Sequence, residues 1–218
     1  MLERWPREAF GKPTDTADVA RRLALAGLRP DIPEASRIAE GIARFLDGPY
    51  ARTIREQGLR LLREEPFVLT IGLSPAPDGS PRVIGLRGAV DFVVFRPDGT
   101  VDVIDYKLSR PRSDLDMYAF QLHAYALSMV RREPERRIRA GVLFLAGSSS
   151  EPIFLDAQGP NGTISSAEHD AFCQHLTDLG ERFAESRWAD RFDPVPLETC
   201  RKLRCGFVGA CYGPEASA

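Results

Sequence analysis

Asp91, Asp105 and Lys107 are charged residues set in runs that are otherwise apolar. Ala89 and Val90 precede Asp91, and Phe92, Val93 and Val94 follow it; Val101, Val103 and Ile104 lead to Asp105. Such β-branched and aromatic runs read as strands. Between them Arg96-Pro97-Asp98-Gly99-Thr100 suits a three-residue hairpin loop, with Pro97 and Asp98 in a type I turn and Gly99 in the left-handed position. If Arg96 faces Thr100, then Phe95 faces Val101 and Asp91 faces Asp105. Side chains alternate along a strand, so Asp91, Asp105 and Lys107 fall on one face.

That convergence is costly. Two carboxylates about 4 Å apart repel by about 4 kcal/mol at an effective dielectric near 20. A divalent cation removes the penalty, and hard oxygen ligands favour Mg²⁺ or Mn²⁺. The hairpin alone leaves a second reading open, in which Lys107 neutralises the carboxylates as an Asp-Lys pair at a sheet end.

The elements around the hairpin follow from periodicity. Helices are predicted over Thr16–Leu28 and Glu34–Leu46, separated by Pro30 and Pro33. Strands are predicted over Phe67–Leu73, Val83–Phe95 and Val101–Lys107. A helix over Leu115–Arg131 places Gln121 and Tyr125 on one face, next to Tyr118. A buried strand over Ile138–Leu145, a short one over Pro152–Leu155 and a long helix over Ser166–Arg187 complete the pattern. Strands joined through a helical crossover imply an α/β or α+β fold, with a central mixed sheet flanked by helices. Residues 1–213 are expected to form a single domain: a helical part over 1–60, a core over 63–146 and a loop-built, Cys-containing tail over 193–213. Residues 214–218 are expected to be disordered.

Composition narrows the setting without naming a partner. The chain has 218 residues, 43% hydrophobic and 28% charged, with a net charge of -2. One sizeable core fits that length. No apolar run reaches the ~20 residues of a membrane-spanning helix, and no secretory leader opens the sequence, so no membrane partner and a cytoplasmic location are expected. Phosphate binding would have to come from local basic groups and metal.

Taken together, Arg63-Glu64-Glu65-Pro66-Phe67, Leu86-Arg87-Gly88-Ala89-Val90-Asp91, Val103-Ile104-Asp105-Tyr106-Lys107 and Gln121-Leu122-His123-Ala124-Tyr125 resemble the nuclease domain of RecB/AddA-type helicase-nucleases, within the PD-(D/E)XK superfamily. The resemblance implies a restriction-endonuclease-like core and a Mg²⁺- or Mn²⁺-dependent deoxyribonuclease. Its expected work is exonucleolytic cleavage in DNA end processing and recombinational repair. It implies metal ligation by the Asp91 and Asp105 side chains and the Tyr106 carbonyl, with Lys107 orienting or activating water. Glu64 would support the site, and Gln121 and Tyr125 would line a DNA channel with Arg110 on the phosphates. DNA and a helicase domain or subunit of the same complex are the implied partners. No phosphate-cradling Gly-x-x-x-x-Gly-Lys-Ser/Thr loop occurs, so no ATPase is expected of this chain alone.

Two departures matter. The resemblance calls for a Gly-x-x-x-His upstream of the first strand, whereas His123, His169 and His175 all lie downstream of Lys107. The expectation is that the chain begins just after that ligand. An alternative function is therefore a catalytically impaired DNA-binding or partner-docking module; a groove serving another phosphate-containing ligand is a third. Cys200, Cys205 and Cys211 partly match the cysteine cluster with which some relatives hold an iron-sulfur cluster, against a reading as buried thiols or a Zn²⁺ site. Arg131, Arg132, Arg136, Arg137 and Arg139 read as a solvated helix end, and Trp5 and Trp188 as core or interface anchors.

Overall fold

The computed structural model describes residues 5–25, 27, 33–109, 115–191, 193–202 and 205–213. Helices α1 (Thr16–Leu25), α2 (Pro33–Asp47) and α3 (Pro49–Glu56) precede three strands, β1 (Arg60–Leu73), β2 (Arg82–Phe95) and β3 (Thr100–Lys107). Helix α4 (Asp116–Arg132), strands β4 (Arg137–Phe144) and β5 (Ile153–Phe154), and helices α5 (Ser166–Trp188), α6 (Leu197–Lys202) and α7 (Val208–Tyr212) follow. The five strands form one sheet in the order β1-β2-β3-β4-β5. β3 runs antiparallel to β2 and parallel to β4, with α4 as the crossover. The fold is a mixed sheet with flanking helices, as in the PD-(D/E)XK class expected above.

Strand alternation sorts the core into two clusters. Phe92, Val94, Ile104, Leu143 and Leu145 face α1, α2 and α3, where they meet Phe10, Ile42, Phe45 and Ile54. Val93, Phe95, Val101, Val103, Val142 and Phe144 face α4, where they meet Leu122, Tyr125 and Met129. Each fully buried side chain of this size contributes about 1.5–3 kcal/mol by leaving water. Trp5 belongs to the first cluster, with Arg22 over its ring. Trp188 is 71% exposed, which removes the core half of the expectation for it.

β1 starts at Arg60, seven residues before the apolar run that predicted it. Its first half is hidden in the sequence by Arg63, Glu64, Glu65 and Pro66. β1 is a sheet edge, where a proline costs no ladder bond. Glu64 has φ 49, and alternation changes phase there. Leu61 and Arg63 lie on the α1–α3 face, with Arg63 over the Phe10 ring. Glu65 and Phe67 lie on the α4 face, where they meet Arg132 and Tyr125. A left-handed residue at a bulge turns a strand over in this way.

The chain divides into two compact units, one of Met1–Ile71 with Val83–Gln174, the other of Gly72–Arg82 with His175–Ala218. All site residues discussed below belong to the first. In the second, Arg82 bonds Glu181 at 2.8 Å, and the tail expected to be loop-built carries α6 and α7.

Candidate active site

The hairpin between β2 and β3 has the register that its loop chemistry demands. Arg96 N–H donates to Thr100 O at 2.8 Å, Gly99 N–H donates to Arg96 O at 3.3 Å, and Gly99 takes φ 82. Phe95 pairs with Val101, and the pairing steps outward to Phe92 with Ile104. One step further a side chain makes the bond: the Asp91 carboxylate accepts the Tyr106 N–H at 2.9 Å. On the other edge of β3, Lys107 O accepts the Leu145 N–H at 2.9 Å. By alternation, Tyr106 turns its N–H and its C=O toward β2, the side on which Asp91 lies.

Asp91, Asp105 and Lys107 therefore converge beneath α4. Asp105 is 1% exposed. Lys107 Nζ lies 2.6 Å from Asp105 Oδ2, an ionic contact without hydrogen-bond geometry, since that oxygen has no hydrogen-bond partner. Burial pushes the Asp105 carboxyl up to about 6; Lys107 pulls it down, and the neighbouring Asp91 carboxylate adds to the rise. One ammonium does not compensate two carboxylates in a place with so little water.

Helix α4 supplies the next layer. Lys107 Nζ donates to Gln121 Oε1 at 3.2 Å and lies 5.3 Å from the centre of the Tyr118 ring. Gln121 Nε2 donates to Tyr125 Oη at 2.7 Å. Burial pushes the Tyr125 hydroxyl up to about 12; the Gln121 bond opposes this, and Asp91, Asp105 and Glu64 reinforce it. Tyr125 thus stays a neutral phenol. Glu64, exposed on its bulge, is a third carboxylate within electrostatic reach of this ring. The predicted residues Glu64, Asp91, Asp105, Tyr106, Lys107, Gln121 and Tyr125 gather in one region, where β1, β2 and the middle strand β3 meet α4.

A family model described as the PD-(D/E)XK nuclease superfamily matches residues 1–212. The chain belongs to the PD-(D/E)XK nuclease superfamily. Comparison with curated proteins and with solved structures gave no significant match. PD-(D/E)XK nucleases generally use divalent metals such as Mg²⁺, and this PD-(D/E)XK site fits one. Asp105 Oδ2 is a buried oxygen whose close partner among the described residues is the Lys107 ammonium at 2.6 Å, outside hydrogen-bond geometry. Among the described residues no three His, Cys, Asp or Glu side chains gather to hold a metal by themselves. A cation here would be held by Asp91 and Asp105 and completed by backbone oxygen, water or phosphate. Mg²⁺ tolerates that arrangement because it keeps several waters and needs only one or two carboxylates.

Other predicted residues take different places. Arg110 lies outside the described residues, as do residues 214–218. The arginines in the last turn of α4 and just after it are engaged within the chain rather than merely solvated. Arg132 pairs with Glu65, Arg139 with Asp102 at 2.8 Å, and Arg136 with Glu133 at 3.8 Å. Arg131 and Arg137 donate to the carbonyls of Thr70 and Asp98. His123 is half-buried and stacked on Phe172, and burial lowers the pKa of both His123 and His169. Cys200 is buried, Cys205 half-buried and Cys211 exposed; the Cys200 thiol points to Val195 O at 3.7 Å. The sequence reading missed Phe67 as a contact of Tyr125 (ring centroids 5.8 Å apart, 78° between planes). An aromatic residue three positions past the bulge was its only signal.

Proposed function

We propose that this chain is a Mg²⁺- or Mn²⁺-dependent DNA exonuclease domain of RecB/AddA type. It cleaves phosphodiester bonds in DNA end processing and recombinational repair, beside a helicase domain or subunit. The observation that carries the chemistry is the convergence of Asp91, Asp105 and Lys107: the Asp105 carboxyl is buried and pushed up to about 6, with the Asp91 carboxylate adding to the rise. A second carboxylate so close to a buried one invites a divalent cation.

Asp91 and Asp105 would hold the cation, with the Tyr106 carbonyl as a further oxygen donor. When bound, it would supply Lewis acidity, lower the pKa of water and neutralise charge on phosphoryl oxygens. Lys107, steered by Gln121 and Asp105, places positive charge near the phosphoryl oxygens, where negative charge builds up as water attacks. Gln121 and Tyr125 border the path of the nucleic acid, and Glu64 closes the site from β1. The test is hydrolysis of linear DNA by the purified chain in Mg²⁺, compared with EDTA and with Asp91→Asn. Cleavage that needs the metal and Asp91 supports the reading; DNA binding without cleavage would make the chain a docking module.

A further inference from the structure

A chain of contacts runs from the bare backbone of β2 to the site lysine. At Gly88 an added Cβ would lie 3.0 Å from Cε1 and Cζ of Phe67. One edge of the ring thus lies against a position where a side chain would push it aside by a few tenths of an ångström. Phe67 meets the Tyr125 ring edge-to-face at 5.8 Å. The Tyr125 hydroxyl accepts from Gln121, and Gln121 accepts from Lys107. Lys107 stands 2.6 Å from Asp105. Each link bears on the next: an aromatic edge contact sets the ring plane of Tyr125, its hydroxyl anchors the amide nitrogen of Gln121, and the amide oxygen then faces the ammonium, which can only donate.

We propose that Gly88 and Phe67 are positioning residues for Lys107, acting through Tyr125 and Gln121 rather than by touching substrate. The inference rests on the nuclease reading above for its catalytic consequence. The bulge at Glu64 makes it possible, because the phase change there brings Phe67 to the α4 face. Without that turn, Phe67 would point to the α1–α3 face and Tyr125 would lose its buttress. A gap of a few tenths of an ångström matters, since charged groups at reacting centres must be held to about half an ångström.

The test is a double-mutant cycle in Mg²⁺-dependent DNA cleavage, together with a spectroscopic readout that needs no activity. Tyr125→Phe, Gly88→Ala and Phe67→Leu should each lower kcat about tenfold while KM for DNA changes less than about twofold. Gly88→Ala/Tyr125→Phe and Phe67→Leu/Tyr125→Phe should be no slower than Tyr125→Phe alone, because the upstream residues act through its hydroxyl. The ¹H–¹⁵N pair of the Gln121 side-chain amide, assigned by its loss in Gln121→Met, should move toward the position of a free amide in all three single variants. Additive kcat losses, or an amide pair unmoved by both Gly88→Ala and Phe67→Leu, would overturn the relay. Phe67→Leu keeps the test open if Gly88→Ala fails to fold, since it removes the contact without crowding. If the wild-type chain cleaves no DNA, the nuclease reading fails and the amide resonances alone decide the relay.

Discussion

β3 carries two buried aspartates three residues apart, and the chain treats them in opposite ways. Asp102 faces α3 and is 0% exposed. It accepts Tyr50 Oη at 2.7 Å, Arg96 Nε at 2.6 Å and Arg139 Nε at 2.8 Å. Two guanidiniums and a phenol answer one carboxylate, and the guanidiniums stack on Tyr50 and Phe154 in turn. Asp105, on the α4 face, is nearly as buried but has one ammonium beside it and a second carboxylate nearby. Three donors satisfy the first aspartate from within the protein. The second is left anionic and underfilled, and its missing charge must come from outside. A buried carboxylate with its full set of partners holds structure; one short of partners is placed for a ligand.

Breaking each aspartate separates the two roles. Asp105→Ala or Lys107→Ala should lower the rate of Mg²⁺-dependent DNA cleavage by at least about 10³-fold, or about 4 kcal/mol in activation free energy, while Asp105→Ala leaves the urea midpoint unchanged or raised. Cleavage within tenfold of wild type by either variant would remove the site from Asp105 and Lys107. Asp102→Ala should do the reverse, costing about 3 kcal/mol of stability in urea unfolding because it strands two half-buried guanidiniums and a buried phenol. A loss under about 1 kcal/mol would mean that the network is decorative.

A smaller effect sharpens the contrast through pH. In EDTA the folded Asp105 carboxyl releases its proton near 6, whereas an unfolded one does so near 3.9. The folded state therefore holds the proton more tightly, and the stability this confers is complete below about pH 4 and lost as pH rises through 6. The difference in Tm between wild type and Asp105→Asn should shift by a few degrees against the wild type over that window, and Mg²⁺ should reverse it. A constant difference would show that Asp105 is no less satisfied than Asp102.

The smallest effect concerns Glu64, whose φ of 49 is a conformation that glycine adopts without strain. Glu64→Gly should raise stability by up to about 1 kcal/mol and weaken Mn²⁺ binding by less than tenfold, and Glu64→Gln should weaken binding alone. Unchanged affinity in both variants would take Glu64 out of the site.

The placing of Asp105 beside Asp91 and Lys107 was readable in the sequence, and the burial of Asp102 was not. Pro97-Asp98-Gly99 dictates a loop length, the loop dictates the register out to Phe92 and Ile104, and the Asp91 carboxylate then meets the Tyr106 N–H next to Asp105. Those steps are local. Asp102 needs Tyr50, fifty-two residues upstream, and Arg139, thirty-seven downstream. In the run Val101-Asp102-Val103 it looks like the solvent side of a half-buried strand, and only burial of both faces of β3 shows otherwise. Helix α3 was lost for a related reason, since Pro49 and the arginines between Tyr50 and Glu56 obscure the stripe of Tyr50, Ala51 and Ile54 that packs on the core. The start of β1 was hidden by the bulge, which interrupts the period-two pattern that marks a strand.

Calorimetric titration of Mn²⁺ into the metal-free chain tests the central claim most directly, with Asp91→Asn and Asp105→Asn titrated alongside. The account predicts a saturable heat in the wild type that disappears in both variants. Identical heats in all three proteins would contradict it, because the unfilled carboxylate of Asp105 would then not be where the cation binds.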